Sequence, residues 1–160
     1  GKIDSNTPCN PSSQYGIAKN ALRQSLLLLS KDKDVNIYWL RAYYILGDDV
    51  KNHSIFSKIL MAVQDGKGTF PFNSGKNKYD FLDVKELARQ IMYASIQKKY
   101  TGIINVCSGQ PVSLAERVEQ FINENHLPIS LEYGKFPDRP YDSPIVYGDN
   151  TVIQQIMKEG

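Results

Sequence analysis

The stretch Val35–Tyr44 constrains the fold of this chain more than any other part of the sequence. It is a nearly continuous apolar run, rich in aromatic and β-branched side chains, and its length suits a single strand. Strands that are apolar on both faces are typical of parallel sheets, where helices cover the sheet from either side. The run therefore predicts a strand that is covered on both faces.

A helix pattern precedes this run. Ser12 or Ser13 can cap a helix that extends to about Ser30. Its apolar stripe, at steps of three and four residues, consists of Ala18, Leu22, Leu26 and Leu29. Leu27 and Leu28 widen that stripe, so we expect this helix to be buried on more than one face.

Further helices and a strand follow. A helix is predicted over Ser54–Gln64, and Ile103–Val106 is a short strand candidate. Asp83 with Glu86, and Ser113 with Glu116, are capping-box patterns that each open a helix. Helices that alternate with apolar strands in this order indicate an α/β fold.

The predicted sheet is too small for this set of helices. One strong strand and a few short ones cannot cover so apolar a first helix, and Gly1–Gln14 is predicted to be a loop with no strand before the helix. We therefore expect these 160 residues to be part of a larger α/β domain whose first half is absent. A complete small α/β or α+β domain is the alternative.

Composition limits the classes of function. Hydrophobic residues make up 41% and charged residues 22% of the chain, and the net charge is +2 with both signs in each half. This balance gives no support to a nucleic-acid or membrane partner, and no apolar run approaches the roughly 20 residues of a bilayer span. Cys9 and Cys107 have no metal-ligand spacing, so we expect no metal site and a reduced, cytoplasmic protein.

Tyr15 and Lys19 lie four residues apart near the start of the first predicted helix, so both side chains project from one face. An ammonium beside a phenol stabilises the phenolate, which suits the phenol for proton transfer to or from a hydroxyl or carbonyl. Tyrosine and lysine are common in this chain, however, and the spacing alone also fits a solvated helix face.

The sequence around this pair belongs to a longer pattern. Its segments, in chain order, are Thr7–Lys19, Leu40–Gly47, Tyr79–Ala88, Ile104–Leu114 and Arg139–Asp142 with Asp149. The first is a proline-containing loop followed by Tyr-Gly-x-x-Lys. Together they resemble the extended short-chain dehydrogenases/reductases of the NAD-dependent epimerase/dehydratase family, which modify nucleotide sugars.

The resemblance implies the C-terminal part of a Rossmann-like, doubly wound parallel sheet plus a small α/β substrate-binding domain. Residues 1–50 would end the Rossmann-like domain and carry the catalytic helix. Residues 51–160 would be mostly substrate-binding region, with the last Rossmann elements interleaved. The catalytic helix in this family often packs in a homodimer, which the face from Leu22 to Leu29 would permit; a face buried within the chain would look the same.

The resemblance also implies roles for individual residues. Tyr15 would be the general acid/base at the sugar, and Lys19 would bind the nicotinamide ribose, so that both contact NAD or NADP. Arg139 would meet the substrate diphosphate, where a guanidinium fork suits phosphate oxygens, and Asp142 would hold the nucleotide part.

Several positions depart from the family pattern. Tyr79 stands where many relatives have a diphosphate-binding arginine, with Lys78 beside it as a point charge, and Tyr44 stands where many have a substrate-contacting asparagine. Leu46 and Asp48 replace the usual Tyr and Pro of the turn at Gly47.

The glycine-rich turn that would hold the cofactor pyrophosphate is expected upstream of Tyr15, outside this sequence. The glycines of 66–75 are predicted to lie in a loop instead.

The implied function is the catalytic and substrate-binding portion of a nucleotide-sugar epimerase or dehydratase that works by hydride transfer, inactive as this fragment. A nucleotide-sugar 4-ketoreductase or dehydrogenase of the same family is one alternative. A non-catalytic module that binds a nucleotide sugar or a protein is the other, and the changes at Tyr44 and Tyr79 favour it.

Overall fold

The computed structural model describes residues 1–47, 53–139 and 142–160. The helices in these ranges are α1 (Gln14–Leu29), α2 (Ile55–Gln64), α3 (Val84–Ile96), α4 (Leu114–Glu124) and α5 (Thr151–Glu159), with a 3₁₀ turn at Ser30–Asp32. The strands are β1 (Lys2–Ile3), β2 (Tyr38–Ala42), β3 (Tyr44–Leu46), β4 (Thr69–Pro71), β5 (Lys78–Asp83), β6 (Gly102–Val106), β7 (Pro111–Ser113), β8 (Ser130–Glu132) and β9 (Ile145–Gly148). The alternation of helices and strands confirms the predicted α/β class.

Side-chain caps fix where the helices begin. The hydroxyl groups of Ser13, Ser54 and Ser113 each accept a hydrogen bond from a backbone N–H three residues on. The predicted capping box at Asp83 is wrong in detail. Asp83 accepts from the N–H of Lys85, while the Glu86 carboxylate is held by Arg89.

Parallel pairing dominates the sheets. The largest sheet has the order β1-β9-β5-β3 with all three pairs parallel, and β7 joins β5 antiparallel. Two smaller parallel sheets pair β2 with β6 and β4 with β8. The β2–β6 pairing confirms the parallel sheet expected from the sequence, and β6 contains the strand predicted at Ile103–Val106.

The apolar run Val35–Tyr44 contributes to two strands, whereas the sequence predicts one. Regular strand begins only at Tyr38, and Tyr43 separates β2 from β3, which pairs with β5 in the larger sheet. One run thus serves two sheets, and its residues are half-buried or exposed rather than covered on both faces.

Two hydrophobic cores lie between the helices and the strands. The first joins α3 and α5 to β5 and β6, and its buried residues are Leu82, Leu87, Ala94, Ile104, Val106, Ile153 and Ile156. The second joins α2 and α4 to the β4–β8 pair, and its buried residues are Ile59, Ala62, Phe72, Val118, Ile122 and Ile129. Burying one such side chain contributes about 1.5–3 kcal/mol, so these clusters hold the chain from α2 onward together.

Helix α1 does not follow the expectation that it is buried on more than one face. None of its residues is buried, and Leu28 is 66% exposed. The nearby β2–β6 pair offers only a two-stranded surface, which is too small to cover the wide apolar stripe. The expected absence of a strand before α1 is also wrong, since Lys2 and Ile3 pair with Tyr147 and Gly148 of β9.

Within the described ranges, no helix is both long enough and apolar enough to cross a membrane. Asp48, which departs from the family pattern in the turn at Gly47, lies outside the described residues. Pro140 and Tyr141 lie outside them as well.

Candidate active site

The first turn of α1 presents Tyr15 to solvent. The Ser13 hydroxyl accepts from the N–H of Gly16 at 3.1 Å, and this cap sets the direction in which α1 starts. A Cβ at Gly16 would lie 2.9 Å from the Cβ of Pro11, so the proline loop packs closely against the helix. The Tyr15 side chain is 75% exposed and therefore open to a ligand.

Lys19 lies one turn further along the same face. Its ammonium is 5.6 Å from the centroid of the Trp39 ring on β2, a cation–π arrangement that positions the charge. A cavity of about 350 Å³ adjoins it. The cavity is lined by Cys9, Asn10, Pro11, Gly16, Lys19, Asn20, Arg23, Trp39 and Arg41.

Of the two arginines of that cavity, Arg23 bonds within α1 and Arg41 bonds to the loop before α1. Arg23 donates two hydrogen bonds to the Asn20 side-chain oxygen, at 3.1 and 2.8 Å. Arg41 donates to the Asp4 carbonyl at 3.0 Å and to the sulfur of Cys9 at 3.7 Å. The strand β2 thus fixes the loop that leads to Tyr15.

A second group of side chains lies where β3 and β5 run together. Tyr44 packs against Tyr79 with ring centroids 4.4 Å apart and against Phe81 at 5.8 Å. The Tyr79 hydroxyl donates to the Asp142 carboxylate at 3.5 Å. Burial is the largest of the effects that raise the pKa of Tyr44. The charges of Tyr79 and Asp142 raise this pKa further, and the charge of Arg139 lowers it.

The structure therefore brings three of the predicted substrate residues together, namely Tyr44, Asp142 and Arg139. Arg139 is exposed, and its carbonyl accepts from the N–H of Asp142 at 3.1 Å. Tyr79 links the group, although the sequence marked it only as a departure from a family pattern.

Lys78 does not join this group. It occupies the first position of β5, and alternate residues of a strand face opposite sides of the sheet. Lys78 is therefore on the face opposite Tyr79 and Phe81, where it is exposed.

A buried carboxylate that sequence reasoning missed lies between the two aromatic positions of β5. Asp80 is fully buried and accepts four hydrogen bonds at 2.6 to 3.0 Å, from the N–H and hydroxyl of Ser108 and the N–H groups of Gly109 and Gly148. A carboxylate within an apolar strand is the sequence signal from which Asp80 could have been identified. Asp80 joins the ends of β6 and β9 to β5 and so fixes the strand that carries Tyr79.

Cys107 lies next to this junction and is fully buried. Burial raises the pKa of its thiol to about 12, which keeps it protonated and unreactive.

Among the described residues, two side chains of α1 fit a nicotinamide cofactor. A phenol and an ammonium on one exposed face offer a proton donor or acceptor and a cationic donor for ribose hydroxyl groups. Among the residues that the structure describes, no cluster of three His, Cys, Asp or Glu side chains could hold a metal ion.

Comparison with known proteins gives a consistent family. The sequence model of the NAD dependent epimerase/dehydratase family matches residues 1–107. A dTDP-6-deoxy-L-talose 4-dehydrogenase (NAD(+)) from Aggregatibacter actinomycetemcomitans is 52% identical over 149 residues, which cover 92% of this chain and 55% of the relative.

Solved structures agree in fold. A UDP-glucose 4-epimerase from Thermotoga maritima with UDP-glucose matches with a TM-score of 0.79 and 17% identity, over 96% of this chain and 50% of that one. A Thermus thermophilus UDP-glucose 4-epimerase complex with NAD matches with a TM-score of 0.77 and 17% identity, over 100% and 52%. These matches confirm the expected part of a Rossmann-like fold, and the chain spans about half the length of the relatives it matches.

Proposed function

The chain belongs to the NAD dependent epimerase/dehydratase family, and we propose on this premise that the complete protein is a nicotinamide-dependent oxidoreductase of a nucleotide-linked sugar. The observation that carries the proposal is the exposed Tyr15 phenol, with the Lys19 ammonium one turn away on the same helix face. The cofactor, when bound, supplies the hydride acceptor or donor.

Tyr15 moves the proton that accompanies this hydride. In the direction of oxidation, its phenolic oxygen takes the proton of the sugar hydroxyl as the hydride leaves the same carbon. In the direction of reduction, it returns the proton to the carbonyl oxygen. Lys19 donates hydrogen bonds to the ribose hydroxyl groups from the same helix face.

The second group of side chains takes the other end of the substrate. Arg139 meets the diphosphate with its guanidinium fork, and Asp142 and Tyr44 position the nucleotide and sugar. Lys78, on the opposite face of β5, contributes to phosphate binding only at long range.

The relative that is 52% identical favours one subtype, an NAD-dependent 4-dehydrogenase or 4-ketoreductase of a dTDP-linked 6-deoxysugar. Net oxidation of the sugar C4 hydroxyl to a ketone then produces one reduced cofactor for each sugar. An epimerase or dehydratase, which the family name also covers, returns the hydride within the same turnover, so reduced cofactor does not accumulate.

The division of the chain follows from the same proposal. Residues 1–50 are the end of the Rossmann-like domain with the catalytic helix, and residues 51–160 are mostly substrate-binding region. We assign the pyrophosphate end of NAD or NADP to the part of the relatives that this chain does not span, so these 160 residues alone do not turn over sugar nucleotides.

Two further expectations belong to this proposal. The exposed apolar side chains of α1, which include Leu22 at 48% and Leu29 at 56% exposure, form the contact of a homodimer. A reduced, cytoplasmic protein is supported by the free thiols of Cys9 and Cys107.

The test is Tyr15→Phe in the complete protein, with dTDP-linked 6-deoxysugar and NAD as reactants. We expect kcat to fall about a thousandfold, because the general acid/base is lost, while NAD binding measured by fluorescence is unchanged. Tyr133→Phe removes another exposed tyrosine hydroxyl and serves as the control. Activity within tenfold of the original in Tyr15→Phe would contradict the assignment, and no turnover by the unaltered protein would favour the non-catalytic binding module.

A further inference from the structure

A second cavity lies between helix α4 and strand β8, beside the second core. Its volume is about 370 Å³, which suits a small ligand. It is lined by Glu119, Ile122, Asn123, Ile129, Ser130, Leu131 and Tyr133. The α4–β8 cavity shares no residue with the group on α1 or with the group around Tyr44.

Apolar side chains of the second core form one side of the α4–β8 cavity. Ile122 and Ile129 are 9% and 7% exposed and belong to the buried cluster of that core, and Leu131 packs against the same cluster. The cavity therefore offers an aliphatic surface to the stem of a ligand. Because the core is already closed, this surface exists before a ligand binds.

The aromatic wall of the cavity is Tyr133, which is fixed at both ends. Its ring lies edge-on to the ring of Phe72, with centroids 5.4 Å apart, and Phe72 is buried in the second core. Its hydroxyl donates to the Glu119 carboxylate at 2.5 Å. Tyr133 is nevertheless 46% exposed, so a fixed ring is open to a ligand.

The polar groups of the cavity are mainly acceptors for an incoming ligand. The Tyr133 hydroxyl uses its proton on Glu119, and the Ser130 hydroxyl donates to the Gly68 carbonyl at 3.4 Å. Lone pairs remain on both hydroxyl oxygens, and an ionised carboxylate only accepts. The Asn123 amide offers donors and an acceptor and so does not change this balance. A ligand that carries N–H donors therefore fits better than one that carries acceptors.

Charge favours the same kind of ligand. Glu119 is the only charged side chain among the described residues that line the cavity. In the part of the chain that the structure describes, no lysine, arginine or histidine forms an ion pair with Glu119. Its carboxylate is thus available to a cation, which the neighbouring Tyr133 ring would also attract.

We propose that the α4–β8 cavity binds a small free amine, namely a primary ammonium group on a short aliphatic chain. The ammonium donates to the Glu119 carboxylate beside the Tyr133 ring, and the chain packs against Ile122 and Ile129. This inference is independent of the proposed function, because it uses no residue of the candidate active site.

The test is an NMR titration of the complete protein at pH 7 with three probes of five carbons each, n-pentylamine, 1-pentanol and pentanoate. We expect saturable binding of the amine with a Kd of about 1 mM, as is reasonable for a ligand of this size. The alcohol is expected to bind about tenfold more weakly, because it lacks the charge. Pentanoate is expected not to bind, because its carboxylate would face Glu119.

Two variants of the cavity separate charge from shape. Glu119→Gln keeps an acceptor for the Tyr133 hydroxyl but removes the charge, and should weaken amine binding at least about fivefold. Tyr133→Leu removes the ring and should weaken it about two- to fivefold. Glu116→Gln, an exposed glutamate of the same helix outside the cavity, is the matched control and should leave the affinity within about twofold.

Four results would overturn the inference while leaving the proposed function in place. The first three are no saturable binding of n-pentylamine, pentanoate binding as tight as that of the amine, and an unchanged affinity in Glu119→Gln. The fourth is tighter binding of Nα-acetyl-lysine amide, which carries a similar ammonium and stem on a peptide backbone. That result would assign the cavity to a lysine side chain of a partner protein instead of a free amine.

Discussion

Helices α1 and α5 lie at opposite ends of the chain and differ in how they use their apolar residues. Helix α1 has sixteen residues and buries none of them, whereas α5 has nine and buries Ile153 and Ile156. Both sequences carry an apolar stripe at helical spacing. The stripe of α5 meets α3 and β6, while Leu22, Leu28 and Leu29 of α1 are exposed.

The difference teaches that a stripe specifies which face of a helix is apolar but not what covers it. The region from α2 onward closes two cores with its own residues, and the proposed catalytic pair on α1 lies outside both. Stability and proposed chemistry are therefore carried by different parts of this chain.

The substitution Asp80→Ala is expected to destabilise the region from α2 onward, because Asp80 joins β5 to the ends of β6 and β9. It leaves the backbone N–H groups of Ser108, Gly109 and Gly148 without their acceptor, and each costs about 1–3 kcal/mol when buried. We expect the free energy of unfolding to fall by about 4 kcal/mol or more in urea denaturation.

Asp138→Ala is the matched control for Asp80. Its exposed carboxylate accepts two hydrogen bonds from Ser74, and water can replace them, so the expected loss is below about 1.5 kcal/mol. Equal losses of unfolding free energy in the two variants would show that the buried Asp80 contributes no more to stability than an exposed carboxylate.

A smaller effect sharpens the contrast between the two helices. Ile153→Ala is expected to lower the free energy of unfolding by about 3 kcal/mol, because it leaves a cavity beside α3. Leu28→Ala on α1 is expected to cost less than about 0.5 kcal/mol in the 160-residue chain, because that side chain is 66% exposed. A loss above 2 kcal/mol at Leu28 would contradict the exposure and favour the proposed homodimer contact.

The smallest effect concerns the segment before α1, which the Lys2–Asp149 ion pair joins to β9. Hydrogen bonds from Lys2 first, and then from Thr151, lower the pKa of Asp149 from 3.8 to about 2. The stability that this gives is fully present above pH 4 and is lost as the pH falls through 2. We expect Asp149→Asn to be less stable by under about 1 kcal/mol at pH 6, and the difference to fall to less than half of that value at pH 2.

Urea denaturation at pH 6, 4 and 2 measures this difference. Asp65→Asn removes another exposed carboxylate, 3.7 Å from Lys67, and is the control. If the stability difference between Asp149→Asn and the unaltered protein grew as the pH fell, the lowered pKa of Asp149 would be contradicted.

Much of the fold was predictable because it depends on local chemistry. Ser54 and Ser113 begin helices where their patterns indicate, and Ser13 does so for α1. These features need only a hydroxyl near free N–H groups and an apolar spacing of three or four residues. The assignment of Tyr15 and Lys19 to one helix face was predictable for the same reason.

The features that sequence reasoning missed depend on contacts between distant segments. The two-residue strand at Lys2 and Ile3 exists only because β9 is beside it. The meeting of Tyr44 and Tyr79, thirty-five positions apart, requires the register of β3 with β5. No local pattern encodes either contact, and the failure to bury α1 is likewise a property of what surrounds it.

The Asp80 junction also sets an order for the making of the protein. Gly148 donates to Asp80 from 68 residues further along the chain, and a ribosome adding about 5–20 residues per second needs roughly 3–14 s to synthesise that stretch. Helix α1 has emerged long before, with its leucines already exposed. The junction of β5, β6 and β9 can close only after Gly148 has been synthesised, so for several seconds the nascent chain depends on local structure alone.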